Sequence, residues 1–151
     1  MDYISKLWED RPALPEDKVW LLDEKYAGDS AEAKISRVRD IMDANGYDYY
    51  FIGAVEDICW LLNIRGNDID YNPVVLSYCL ISKDRVYLCI DERKLDDEVK
   101  AYLDENNIKI HSYDYIFTLL KNIPGKNRIF LDPERCNVAI YDSINSNVKI
   151  S

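Results

Sequence analysis

Two apolar, β-rich runs, VVLSYCLIS at 74–82 and RVYLCID at 85–91, are separated only by Lys83-Asp84. A two-residue polar break between such runs predicts a hairpin, although the glycine that favours the tightest turns is missing. A hairpin commits the chain to a sheet, and helical and strand-like patterns alternate around it. Ser30 stands as an N-cap behind the turn-like Gly28-Asp29; Ala31, Ile35, Val38 and Met42 then recur at helical spacing, and Asn45-Gly46 supplies the stop. YYFIG at 49–53 suits a buried strand. Ile58, Leu61 and Leu62 share a face of one or two helical turns capped by Glu56 and Asp57, with a strand as the open alternative.

Downstream, a helix is predicted over 94–106 with Leu95, Val99, Tyr102 and Leu103 inward, then a strand at IKIHS. A helix over about 113–122 turns Ile116, Leu119 and Leu120 inward and is broken by Pro124-Gly125. RIFLD at 128–132 is a further strand, Asn137 caps a short helix through Ile144, and VKI begins a last strand. The order predicts an α/β domain, a mixed β-sheet flanked by helices on its faces. Residues 1–18 read differently. WEDRPALPED carries two prolines and little periodicity, so this stretch is expected to be an extended interdomain connector packing only through Leu7 and Trp8, with the domain proper at 19–151.

The chemistry is narrowed mainly by what is missing. A net charge of −9, with basic residues scattered among acids as in DERKLDDEVK, argues against a nucleic-acid or anionic-membrane partner. No apolar run approaches a spanning helix, and the N-terminus lacks a basic start and an apolar signal core, so a soluble cytoplasmic chain is expected. The cysteines at 59, 79, 89 and 136 form no CxxC pair, and three sit in apolar stretches, which predicts buried reduced thiols. The single histidine, His111, stands alone in IKIHSY, better placed as a strand end than as a ligand or base. No GxSxG, GxxxxGK[ST] or GxGxxG motif occurs.

What remains is the segment after Asn63, where an apolar run gives way to RGNDIDYNP. Gly66 and Pro73 shape its backbone, while Asn67, Asp68, Asp70 and Asn72 supply polar groups, the composition of a loop that holds a defined shape at a cleft. Arg65 presents a fork of donors suited to a carboxylate, either a ligand's or that of Asp68 or Asp70. The Asp68–Asp70 pair offers too few oxygens for a hard cation, so pairing with Arg65 or capping turns is the favoured reading. Tyr71-Asn72-Pro73 sets an aromatic beside an amide and restricts Asn72 to extended geometry. With no nucleophile–base pair and no metal cage beside it, the loop is expected to orient something, not to react.

These residues carry a resemblance. WEDRPALP, KYAGDSAEAKISRVRDIM, EDICWLLNIRGNDIDYNPV, LSYCLI and VYLCID resemble the middle domain of three-domain Xaa-Pro aminopeptidases, the aminopeptidase P branch of the creatinase/prolidase group. The tail after about residue 120 matches loosely. The resemblance implies a creatinase/prolidase N-terminal domain with a ribonuclease H-like motif, lying between a related first domain and a catalytic domain. That last domain binds two divalent metals, commonly manganese, through two aspartates, a histidine and two glutamates. None of these ligands transfers onto this sequence, so the chain is expected to be an excised domain or the product of a truncated gene, inactive by itself and without a metal or catalytic residues of its own.

In this picture Arg65, Asn67, Asp68, Tyr71 and Asn72 form the rim of the peptide cleft, anchored by Trp60 and Trp8. The implied partners are the N-terminal and catalytic domains and short peptides with proline at the second position. The alternative is a non-catalytic protein-binding module on the same fold, as in histone chaperones that carry an aminopeptidase-like region; the acidic balance would suit a basic partner.

Overall fold

A computed structural model describes Asp10 and residues 12–151, and the hairpin lies at its centre. Strands β4 (Ser77–Ser82) and β5 (Val86–Ile90) pair antiparallel from Ser77↔Ile90 to Ile81↔Val86. Ser82 does what the absent glycine would have done. Its backbone N–H bonds the Arg85 carbonyl at 2.8 Å, and its hydroxyl accepts the Arg85 N–H at 3.1 Å while donating to the Asp84 carboxylate at 2.9 Å.

The other main strands are β2 (Tyr49–Ile52), β6 (Ile108–His111), β7 (Arg128–Leu131) and β8 (Lys149–Ile150), in the order β6-β5-β4-β2-β7-β8. β2–β4 and β4–β5 are antiparallel; β5–β6, β2–β7 and β7–β8 are parallel. The sheet is mixed, as the alternation predicts. Side chains sort by the two-residue period: Ile52, Cys79, Ile81, Val86, Leu88 and Ile90 enter one core, and Phe51, Leu80, Cys89, Ile129 and Leu131 the other. Helices α2 (Ala31–Asn45), α3 (Val55–Leu62) and α4 (Asp97–Glu105) cover the first face, and α5 (Tyr115–Lys121) and α6 (Val138–Ser143) the second. Burial on both faces is why the central strands read as continuous apolar runs.

The caps explain where helices begin and end. Ser30 accepts the Ala33 N–H at 3.1 Å to open α2, and Gly46 closes it in the left-handed region at φ 70°. Asn137 accepts the Ile140 N–H at 2.9 Å to open α6. The stretch 55–62 is helical, which resolves its ambiguity, but Glu56 and Asp57 are not its caps. Ala54 holds that position without a side-chain bond, and the two acids lie in the first turn, where they complement the helix dipole. The helix expected from 94 starts at Asp97, because Asp96 accepts the Val99 N–H at 2.9 Å and fixes the start there. Glu92–Lys94 forms a separate 3₁₀ turn capped by Asp91.

Residues 12–18 have no regular structure, while Leu7 and Trp8 lie outside the described residues. Two short elements escape the periodicity argument. α1 (Glu24–Ala27) is a single turn, and β1 (Trp20–Leu21) pairs antiparallel with β3 (Ile64–Arg65) in a two-stranded ribbon. Cys59, Cys79 and Cys89 are buried and reduced, with Cys136 half-buried. Burial pushes their thiols up, Cys89 to about 12.

Candidate functional site

In open α/β sheets a ligand crevice opens where neighbouring parallel strands send their following helices to opposite faces. Here that place is the carboxyl end of β2 and β7, since α3 joins the first core and α6 the second. The crevice is filled by the chain itself. A Cβ on Gly53 would come within 2.3 Å of the Arg135 carbonyl oxygen, and the remaining space, lined by Tyr50, Asp57, Asp132 and Arg135 among others, is about 30 Å³. That volume holds a water and no larger ligand.

The polar loop 66–76 projects from the same end of the sheet. The Ser77↔Ile90 pairing sets the residues before Ser77 beside those after Ile90, and a buried ion pair forms there. Lys94 Nζ lies 2.5 Å from Asp68 Oδ2, with the two side chains 2% and 0% exposed. The same oxygen accepts the Leu76 N–H at 2.6 Å, and the Asp68 N–H bonds the Val74 carbonyl at 3.2 Å. Asp68 Oδ1 is buried and has no partner among the described residues. Gly66 lets the two limbs of the loop close, because a Cβ there would sit 3.2 Å from both the Val74 carbonyl oxygen and the Val75 Cβ.

From this clasp hangs a tight turn. Asn72 N–H bonds the Ile69 carbonyl at 3.1 Å and Val74 N–H the Asn72 carbonyl at 2.8 Å. Tyr71 occupies the turn with φ 64°, a left-handed conformation that costs a non-glycine residue roughly 1 kcal/mol. Its relative exposure is 107%, so its side chain gains no burial in return.

Arg65 does not pair with Asp68 or Asp70 among the described residues. Its Nη1 donates to the carbonyls of Cys59 at 2.6 Å and Ile64 at 2.8 Å, so of its two expected carboxylate partners, a ligand's or a neighbour's, the neighbouring pair is not formed. The reason lies at the end of α3. Asn63 turns left-handed at φ 54° to close that helix, and its terminal carbonyls collect donors: Arg65 on Cys59, buried Lys34 on Trp60 at 2.8 Å and the Tyr102 hydroxyl on Leu62 at 3.1 Å. Lys34 also donates to Asn63 Oδ1 at 2.6 Å and lies 4.7 Å from the Trp60 ring centroid. Burial, then the Arg65 charge, lowers its pKa. Trp60 is half-exposed beneath that ammonium.

The expected rim residues therefore separate by depth. Asn67 and Tyr71 are exposed and Asn72 is partly so; Arg65 and the Asp68 side chain lie beneath them and hold the backbone. Lys94, absent from the sequence reading, is the added member. His111 stacks on Tyr115 with centroids 4.4 Å apart, away from this loop's bonds. Among the described residues no three His, Cys, Asp or Glu side chains converge, so they do not fit a two-metal centre. No helix among them is long and apolar enough to cross a membrane.

A mixed sheet covered by helices on both faces, with a braced polar loop at one end, defines an α/β domain of the layered, doubly covered class. The chain belongs to the creatinase/prolidase N-terminal domain family, whose sequence profile matches residues 10–151. It is 39% identical over 122 residues to a Coprinopsis cinerea protein named "Probable Xaa-Pro aminopeptidase P", covering 80% of this chain and 20% of that one. Xaa-Pro aminopeptidase 1 of Dictyostelium discoideum is 35% identical over 137 residues, covering 90% of this chain and 22% of its own. The crystal structure of X-prolyl aminopeptidase from Caenorhabditis elegans, described as a cytosolic enzyme with a di-nuclear active site, superposes with a TM-score of 0.90 at 29% identity. That match covers 99% of this chain and 26% of the nematode chain. The chain thus spans about a fifth of the length of the curated relatives it matches.

Proposed function

We propose that this chain is the middle, non-catalytic domain of a metal-dependent Xaa-Pro aminopeptidase, where it walls one side of the peptide cleft and limits entry to short peptides. Residues 1–18 serve as the connector from a preceding domain, and 19–151 form the wall. The parent enzyme removes an N-terminal residue that precedes proline, in the cytoplasm, with two divalent metals, manganese in our reading, held by a separate catalytic domain. Its partners in this role are that domain, the first domain and the peptide.

The observation that supports the reading is Tyr71, an exposed aromatic held in left-handed backbone on a braced loop, within the RGNDIDYNP segment. An observed strain with no return to the fold points to a use outside it. Asn67, Tyr71 and Asn72 make the rim's contacts, and Arg65 and Asp68 support them from below. The named relatives support the enzyme over the protein-binding module. The test has two arms. With Mn²⁺ and a Xaa-Pro-Xaa peptide the 151-residue chain shows no turnover, and in the whole enzyme Tyr71→Ala raises KM about fivefold with little change in kcat. Turnover by the isolated chain, or a wild-type KM in the variant, overturns the proposal.

A further inference from the structure

We infer that Lys94 is a positioning residue: through its buried pair with Asp68 it sets the turn that presents Tyr71. The inference rests on the reading of that turn as a cleft rim and adds a residue from a different part of the chain to it.

Tyr71 cannot hold its own conformation. Its ring is fully exposed, and φ 64° is disfavoured for a residue with a Cβ. The turn's internal bonds, Asn72 N–H to Ile69 and Val74 N–H to Asn72, close a ring of backbone but tie it to nothing else. The tie comes one residue earlier. Asp68 joins the two limbs of the loop through Val74 and Leu76, and Lys94 joins Asp68 to the 3₁₀ turn after β5. Lys94 is in turn fixed from the other side, because its carbonyl accepts the Val19 N–H at 3.0 Å. Among the described residues Asp68 has one buried oxygen without a partner and Lys94 as its one paired cation, so the carboxylate depends heavily on that lysine. Loss of that cation releases Asp68, and with it the base from which the strained turn is held.

The experiment separates this inference from the rim reading. In the 151-residue chain, backbone order at Ile69–Asn72 is read by heteronuclear NOE for the wild type, Lys94→Met and the double variant Asp68→Asn/Lys94→Met. The double variant buries no unpaired charge and so keeps the fold if the single one loses it. Positioning predicts that Ile69–Asn72 fall to loop-like values while β4 and β5 keep theirs; unchanged order at the turn overturns it. In the whole enzyme, Lys94→Met or the double variant should raise KM on a Xaa-Pro-Xaa peptide by the factor that Tyr71→Ala produces, with no further rise when the changes are combined. A KM raised by Tyr71→Ala but not by the Lys94 variants removes Lys94 from the rim and leaves the rim standing. A KM moved by neither removes the rim, and the order measurement alone then decides what Lys94 holds.

Discussion

Lys34 and Lys94, at 1% and 2% exposure, are the buried lysines among the described residues, and each steadies backbone that turns left-handed nearby. Lys34 meets neutral acceptors: the Trp60 carbonyl, the Asn63 amide oxygen and the indole face. Lys94 meets a carboxylate. The left-handed residue beside Lys34 is Asn63, a type that tolerates the region well. Beyond Asp68 it is Tyr71, a type that does not. One lysine therefore finishes a helix with residues suited to the task. The other braces a conformation that folding alone would not select, and it does so with a stronger bond. The contrast teaches that the loop's order is imposed from its base, which is what the proposed role of its tip requires.

The largest expected effect comes from removing the stronger brace. Lys94→Met should cost about 3–5 kcal/mol of unfolding free energy, because Asp68 stays buried with neither oxygen facing a cation. Lys34→Met should cost about 1 kcal/mol, since it strands two neutral acceptors but also spares an ammonium from burial. Urea titrations of the two variants check the ranking, and equal losses would break the comparison. A smaller change of opposite sign is expected at the tip. Tyr71→Asn should gain about 0.5 kcal/mol, read as a higher Tm, because asparagine accepts φ 64° more readily. A loss there would mean that the tyrosine ring does support the fold.

Much of this architecture was legible before the structure. Ser30, Asn45-Gly46 and Asn137 marked helix ends by local chemistry, and local chemistry survives tertiary context. The loop was legible as a unit for the same reason. Its wiring was not. Arg65 stands three residues from Asp68 and five from Asp70, and that nearness suggested a pair, yet its side chain turns back to the carbonyls that end α3. Lys94 is 26 residues from Asp68 and sits in DERKLDDEVK, where basic residues are scattered among acids and none is marked out by its neighbours. Only the strand register, with Ser77 opposite Ile90, brings that stretch against the loop. Composition could indicate a shaped loop, but which cation shapes it depends on pairing between strands.

Lys34 also has a pH signature, the smallest effect expected. Burial raises the thiols of Cys59, Cys79, Cys89 and Cys136 above their ordinary 9.0, and the hydroxyls of Tyr49, Tyr50, Tyr102 and Tyr113 above 10.0. Each of these groups keeps its proton in the folded state at a pH where the unfolded chain has released it. Stability that is complete below about pH 9 is therefore lost as pH rises. Lys34 works in the opposite direction. Burial and then Arg65 lower its pKa from 10.5, so in the window just below that value the unfolded chain holds a proton that the folded chain has given up, and stability climbs with pH. Unfolding free energies of the wild type minus those of Lys34→Met, measured from about pH 8 to 10.5, isolate that climb from the fall caused by thiols and tyrosines. A rising difference means that the Lys34 ammonium is held at a cost by neutral acceptors. A flat or falling one would mean that it is as well compensated as a lysine facing a carboxylate, and the distinction between the two braces would rest on Tyr71 alone.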